Sequence, residues 1–114
     1  MNWKLLTSES ELTEILERSY QSPQVIFKHS TRCGTSGMAK NRLERSGYEG
    51  NIEFNLLDVI AHRPLSAQVA ETLDVWHESP QVILVFNGKA EYDESHIGIR
   101  MDDIKEQCLL IMNK

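Results

Sequence analysis

Gln81–Phe86 reads Gln-Val-Ile-Leu-Val-Phe, five apolar residues in succession. A strand of that composition has no face to turn to water, so it must be covered on both sides. Gln24–His29, with Val25, Ile26 and Phe27 together, is a second buried-strand candidate. The remaining segments supply the cover. Trp3–Leu6 is a short strand candidate. Ser8-x-x-Glu11 is a capping-box pattern, after which Leu12, Ile15, Leu16 and Ser19 recur at helical spacing until Ser22-Pro23 breaks the helix. Gly34–Ser46 reads as a helix with Ala39 and Leu43 on one face and Gly47 as its stop. Ile52, Phe54 and Leu56 alternate with polar residues as a strand does. Pro64 suits a helix's first turn, and Leu65, Val69 and Leu73 form its inward face. Asn87-Gly88 is a hairpin signal, because both residue types tolerate positive φ, and Lys89–Tyr92 is the return strand. Asp102 or Asp103 is placed to cap a last helix carrying Ile104, Cys108 and Ile111.

The order is β-α-β-α-β-α-β-β-α. Alternation of this kind implies a largely parallel sheet with right-handed crossovers, and the closing hairpin adds an antiparallel edge. A three-layer α/β/α sandwich with a mixed sheet follows. The 114 residues fit one domain spanning residues 1–114, and no linker or repeat interrupts them. The formal net charge of −5 gives no general attraction to nucleic acid or anionic membrane. No apolar run approaches membrane-spanning length and no signal peptide opens the chain. The expected location is cytoplasmic, and two widely spaced cysteines, Cys33 and Cys108, suit a reducing compartment.

Cys33 lies in Ser30-Thr31-Arg32-Cys33-Gly34-Thr35-Ser36, between the buried strand and the following helix. A Cys-x-x-Cys here would read as a thioredoxin-like redox pair. With Ser36 in the second position no intramolecular disulfide forms, so redox chemistry at Cys33 requires a sulfur from another molecule. The start of a helix favours a thiolate through its free amides and its dipole. Arg32 is expected to add positive charge and the Ser36 hydroxyl a hydrogen bond, with His29 and Lys40 as neighbours. The competing reading is an inert packed thiol. The agreement in register of strand, Cys-x-x-Ser and helix favours the reactive one.

A second element is His77-Glu78-Ser79-Pro80-Gln81, directly ahead of the apolar strand. A Ser-Pro bond here can be cis. It would expose the Ser79 backbone to an extended partner, as in strand addition. Trp76, next to His77, either borders a ligand groove or belongs to the core or its edge, the usual place for an aromatic residue at a strand approach. The rest of the chain offers less. Cys108 sits on an apolar helical stripe and reads as core. The four histidines lack zinc spacing with the cysteines, so no metal site is expected.

Taken together, Cys33-x-x-Ser36 opening a helix, His77-Glu78-Ser79-Pro80-Gln81, the Asn87-Gly88 hairpin and Ser95-His96 resemble the YtxJ-like monothiol bacilliredoxins over essentially the whole chain. The usual family motif is Thr-Cys-Pro-Ile-Ser, whereas this chain has Arg32-Cys33-Gly34-Thr35-Ser36. The resemblance implies a thioredoxin-like fold. It also implies an enzyme that reduces mixed disulfides between client proteins and a low-molecular-weight thiol, bacillithiol as co-substrate, with no bound cofactor. Cys33 is then the nucleophile, stabilised by Arg32 and Ser36. Thr31, Gly34, Thr35, His77, Ser79 and Pro80 are the expected substrate contacts, and the protein acts as a monomer. Thioredoxins carry a buried acid six positions before the first cysteine, assisting the resolving thiol. That position is Phe27 here, consistent with monothiol chemistry. Two other readings remain open at this point: an iron–sulfur cluster carrier, on the Cys33-Gly34-Thr35-Ser36 string, and a thioredoxin-fold interaction module without turnover.

Overall fold

The computed structural model describes residues 1–113. Its elements are β1 (Trp3–Leu5), α1 (Glu9–Arg18), β2 (Gln24–His29), α2 (Gly34–Arg45), β3 (Glu53–Asp58), α3 (Arg63–Leu73), β4 (Gln81–Phe86), β5 (Lys89–Ser95) and α4 (Met101–Met112), with a single 3-10 turn at His96–Gly98. The sheet order is β1-β3-β2-β4-β5. β3 pairs in parallel with β1 and β2, whereas β4 runs antiparallel to both β2 and β5. The expected mixed sheet is present, but it is not largely parallel with an antiparallel edge: β4 lies antiparallel to β2 near the centre, so antiparallel pairing is not confined to the closing hairpin.

Residue alternation on the two central strands divides the core. Val25 and Phe27 of β2, with Val82 and Leu84 of β4, pack against Ala39 and Leu43 of α2 and Ile104 and Cys108 of α4. Ile26, Ile83 and Val85 face the other way, against Leu12 and Ile15 of α1 and Leu65, Val69 and Leu73 of α3. Both faces are covered, as the apolar runs require. No helix among the described residues is long and apolar enough to cross a membrane.

The helix starts differ from expectation in detail. At α1 the Glu11 amide donates to Ser8 Oγ at 3.2 Å, the expected half of a capping box. The Glu11 carboxylate reaches one residue further back, taking the amide and the hydroxyl of Thr7, each at 2.8 Å. At α4 neither Asp102 nor Asp103 is the cap. Arg100 holds the N-cap position with extended backbone, and both aspartates fall within the first turn, where they meet the positive end of the dipole instead. The Asn87-Gly88 turn has the expected positive φ values, 54° and 75°. It is tied to the end of α1, since Asn87 and Gly88 donate their amides to the Ser19 carbonyl and hydroxyl, each at 2.9 Å. β5 runs to Ser95, three residues beyond the expected return strand.

Candidate active site

β2 ends at His29, and its chain turns through Ser30–Arg32 into α2. Cys33 occupies the N-cap position, half-buried, with extended backbone. Its carbonyl accepts the Gly37 amide at 3.1 Å, opening the helical ladder. The first amides of a helix have no acceptor within it, so the thiol stands at a source of unpaired donors.

Ser36 has a different surrounding from the expected one. It is fully buried. Its hydroxyl bonds His29 Nδ1 at 2.6 Å and accepts the Ser30 amide at 2.9 Å. The side chain expected to serve the thiolate is thus committed to the β2–α2 turn. Burial pushes His29 below its usual value, and the charge of Lys40 adds to the effect. The Lys40 ammonium is itself paired with Glu44 at 2.8 Å and lies over the Trp3 ring. Phe27 stacks between Trp3 and His29, filling with aromatic surface the position where thioredoxins keep an acid.

Cys33 opens onto a groove of about 640 Å³. The β2–α2 turn contributes Ser30, Arg32 and Cys33, the β3–α3 turn contributes Val59 and Ile60, and α3 opens with Arg63 on the same wall. One side of α3 adds Ser66, Ala67 and Ala70, and the segment before β4 adds His77 and Ser79. Of the sequence-predicted residues, the groove brings together Arg32, Cys33, His77 and Ser79. Thr31, Gly34 and Thr35 flank the cysteine but do not line it. Pro80 is buried behind Ser79, and the Ser79–Pro80 bond is cis. Pairing on β4 begins at Gln81, so Ser79 belongs to no strand ladder. The segment is anchored on its far side: Pro80 accepts the His96 amide, and the His96 ring meets Glu78, each at 3.0 Å. Trp76 is 85% exposed.

Two features of this groove escaped sequence reasoning. One is Arg63, whose contribution depends on the β3–α3 turn folding against the β2–α2 turn. Among the described residues neither Arg32 nor Arg63 has a carboxylate partner, and no acidic side chain lines the groove. The other is Lys28. It is fully buried, and its ammonium donates to the Ser66 carbonyl and to His77 Nδ1, each at 3.0 Å. Burial lowers Lys28 to about 8. His77 is lowered by its own burial and by the Lys28 charge. A lysine inside an otherwise buried strand was the signal available for this cluster. Cys108 is remote in character: it is buried against Met112, and burial raises its thiol.

Comparison with known proteins agrees with this geometry. The chain is similar to a solved structure described as a candidate oxidoreductase with a thioredoxin fold, at 26% identity over 91% of each chain and a TM-score of 0.81. The thioredoxin of Trypanosoma brucei brucei superposes with a TM-score of 0.78 at 14% identity, covering 99% of this chain and 93% of that one. For Fasciola hepatica thioredoxin the TM-score is 0.74 at 16% identity, over 94% and 97%. The two thioredoxins establish the fold. Residues 4–104 match the monothiol bacilliredoxin BrxC family, and with a lone cysteine at the start of α2 in a thioredoxin fold, the chain belongs to that family of thiol oxidoreductases.

Proposed function

We propose that the protein reduces mixed disulfides between client proteins and an anionic low-molecular-weight thiol, bacillithiol in the first instance, with Cys33 as nucleophile. The observation that carries this reading is a half-exposed Cys33 at a helix start, in a groove that holds cations and no second cysteine. The Cys33 thiolate attacks the small-thiol sulfur, and the client cysteine leaves reduced. Cys33 then carries the small thiol until a second thiol molecule attacks and frees it. Both steps are in-line displacements governed by thiolate fraction, nucleophilicity and access.

The rest of the groove supports the same assignment. Arg32 and Arg63, which have no carboxylate partner among the described residues, suit the carboxylates of an acidic thiol. The unpaired Ser79 backbone suits an extended client segment laid beside the cis-proline. Thr31, Gly34 and Thr35 border the thiol where that segment would pass. Ser36 supports the site by fixing the turn. No bound cofactor is required, and the expected setting is a cytoplasmic monomer.

The test is single-turnover reduction of a bacillithiolated client, followed by mass spectrometry of the adduct. Cys33→Ser should abolish transfer, and Cys108→Ala should retain it with the adduct on Cys33. Equal loss in both variants, or an adduct confined to Cys108, would reject the monothiol assignment.

A further inference from the structure

We propose that Lys28 acts through His77 as a proton source for the sulfur that leaves when Cys33 attacks a mixed disulfide. The proposal rests on the exchange reading above and adds a positioning residue to it. An ammonium group has protons to give and no lone pair, so at 3.0 Å His77 Nδ1 must be the acceptor. The ring therefore carries its own proton on Nε2. Lys28 is also held from α3 by the Ser66 carbonyl at 3.0 Å, and the Ser66 hydroxyl lies 3.3 Å from the same His77 nitrogen. A buried amine tethered at two points fixes both the tautomer and the setting of a ring that lines the groove with Cys33.

Among the described residues no carboxylate hydrogen-bonds this pair, and the Glu78 charge acts on His77 only as the smallest influence, opposite in sense to Lys28. The β3 and β4 neighbours of Lys28 are Leu57 and Gln81. α3 presents Ser66, and the other charged groups of the groove are Arg32 and Arg63. Glu78, beside His77, is engaged by His96.

The step balances within the molecule. Cys33 Sγ bonds to the small-thiol sulfur, the disulfide bond breaks, and the client sulfur departs with the electron pair. Cys33 is oxidised to the mixed disulfide as the client cysteine is reduced. The departing thiolate takes the Nε2 proton of His77 while Nδ1 takes one from Lys28. A solvent proton, accepted at Nε2 and handed back from Nδ1, resets the pair. Burial lowers Lys28 to about 8, which brings its proton into the range near neutral pH where a general acid is most effective.

The experiment uses mixed disulfides of mercaptoacetate with leaving thiols graded from nitrothiophenol to an alkyl thiol. Single-turnover release is measured for wild type, Lys28→Met, His77→Ala and the double variant. Lys28→Met should slow the alkyl thiol by roughly tenfold or more, the worth of a hydrogen bond to a charged group. The loss should shrink steadily as the leaving thiol becomes more acidic. His77→Ala, a change outside the buried strand, should show the same dependence, and the double variant little more. The wild-type advantage should fade as pH rises past about 8, where Lys28 loses its proton. Independently, the ring nitrogens of His77 should show an Nε2–H signature by 15N NMR in wild type, and the Nδ1 resonance should shift in Lys28→Met as its ammonium donor is removed. Equal slowing across all leaving thiols, or an Nδ1–H ring in wild type, overturns the relay alone. No reaction of wild type with any of the disulfides overturns the exchange reading and the relay with it.

Discussion

Ser36 shows how a correctly chosen residue can act by another route. Its position one turn beyond Cys33 predicts a hydrogen bond to sulfur. The hydroxyl instead joins His29 Nδ1 and the Ser30 amide inside the protein. Ser36→Ala should therefore act mainly on stability. It strips partners from a buried ring nitrogen and a backbone amide, a change that costs about 1–3 kcal/mol. Urea unfolding should register that loss, while the rate of Cys33 alkylation changes by less than about threefold. A large drop in alkylation with unchanged stability would restore the direct role. The cysteine itself was legible because its motif is local. Lys28 and Arg63 were not, since their roles come from contacts with residues 38 and 49 positions away for Lys28 and from the meeting of separate turns for Arg63.

At the scale of elements, the site occupies one end of the sheet and the hairpin the other. β4 carries six residues between the cis-proline segment and Asn87-Gly88, a separation of roughly 20 Å. Gly88 has φ 75°, and a β-carbon there would approach Tyr20 Oη to 2.6 Å. Gly88→Ala should cost about 1–2 kcal/mol for the left-handed backbone, with part of the clash relieved by movement of the exposed Tyr20 ring. Activity at saturating substrate should be unchanged; chemical denaturation and turnover on the same sample decide this, and a comparable loss of turnover would mean that hairpin and site are coupled. The order of elements was legible for a related reason. Apolar runs, Pro64, Gly47 and Asn87-Gly88 are local signals whose physics does not depend on neighbours. The α4 start was misjudged because Asp102 and Asp103 suit both a cap and a first turn, and the backbone of Arg100 decides between them. The groove needed the parallel pairing of β2 with β3, which sets the two turns side by side, and no window of sequence contains that.

For the whole molecule, the displaced titrations combine into one pH profile. His29 and His77 are both held below the usual 6.5 by burial, with Lys40 and Lys28 respectively adding repulsion. The unfolded chain therefore binds more protons than the fold as pH falls below about 6.5, and stability declines towards acid as the two rings charge. Glu44 and Glu53, lowered by their hydrogen bonds to Lys40 and Gln24 respectively, extend that decline through the carboxylate range. Lys28 has the same sign in another window. It titrates at about 8 in the fold and at 10.5 when unfolded, so burying its charge costs stability below pH 8 and the cost is relieved between pH 8 and 10.5. Cys108 opposes it: burial raises its thiol above 9.0, so stability falls as pH rises beyond that value. Denaturation midpoints at fixed high salt, which screens the surface carboxylates, should rise from pH 5 to 7 and rise again above pH 8. In Cys108→Ala the second rise should continue further into alkali, and in Lys28→Met it should vanish. An alkaline rise that survives Lys28→Met would place its origin elsewhere and would mean that the Lys28 ammonium is solvated in the folded protein, with no proton affinity lost on folding.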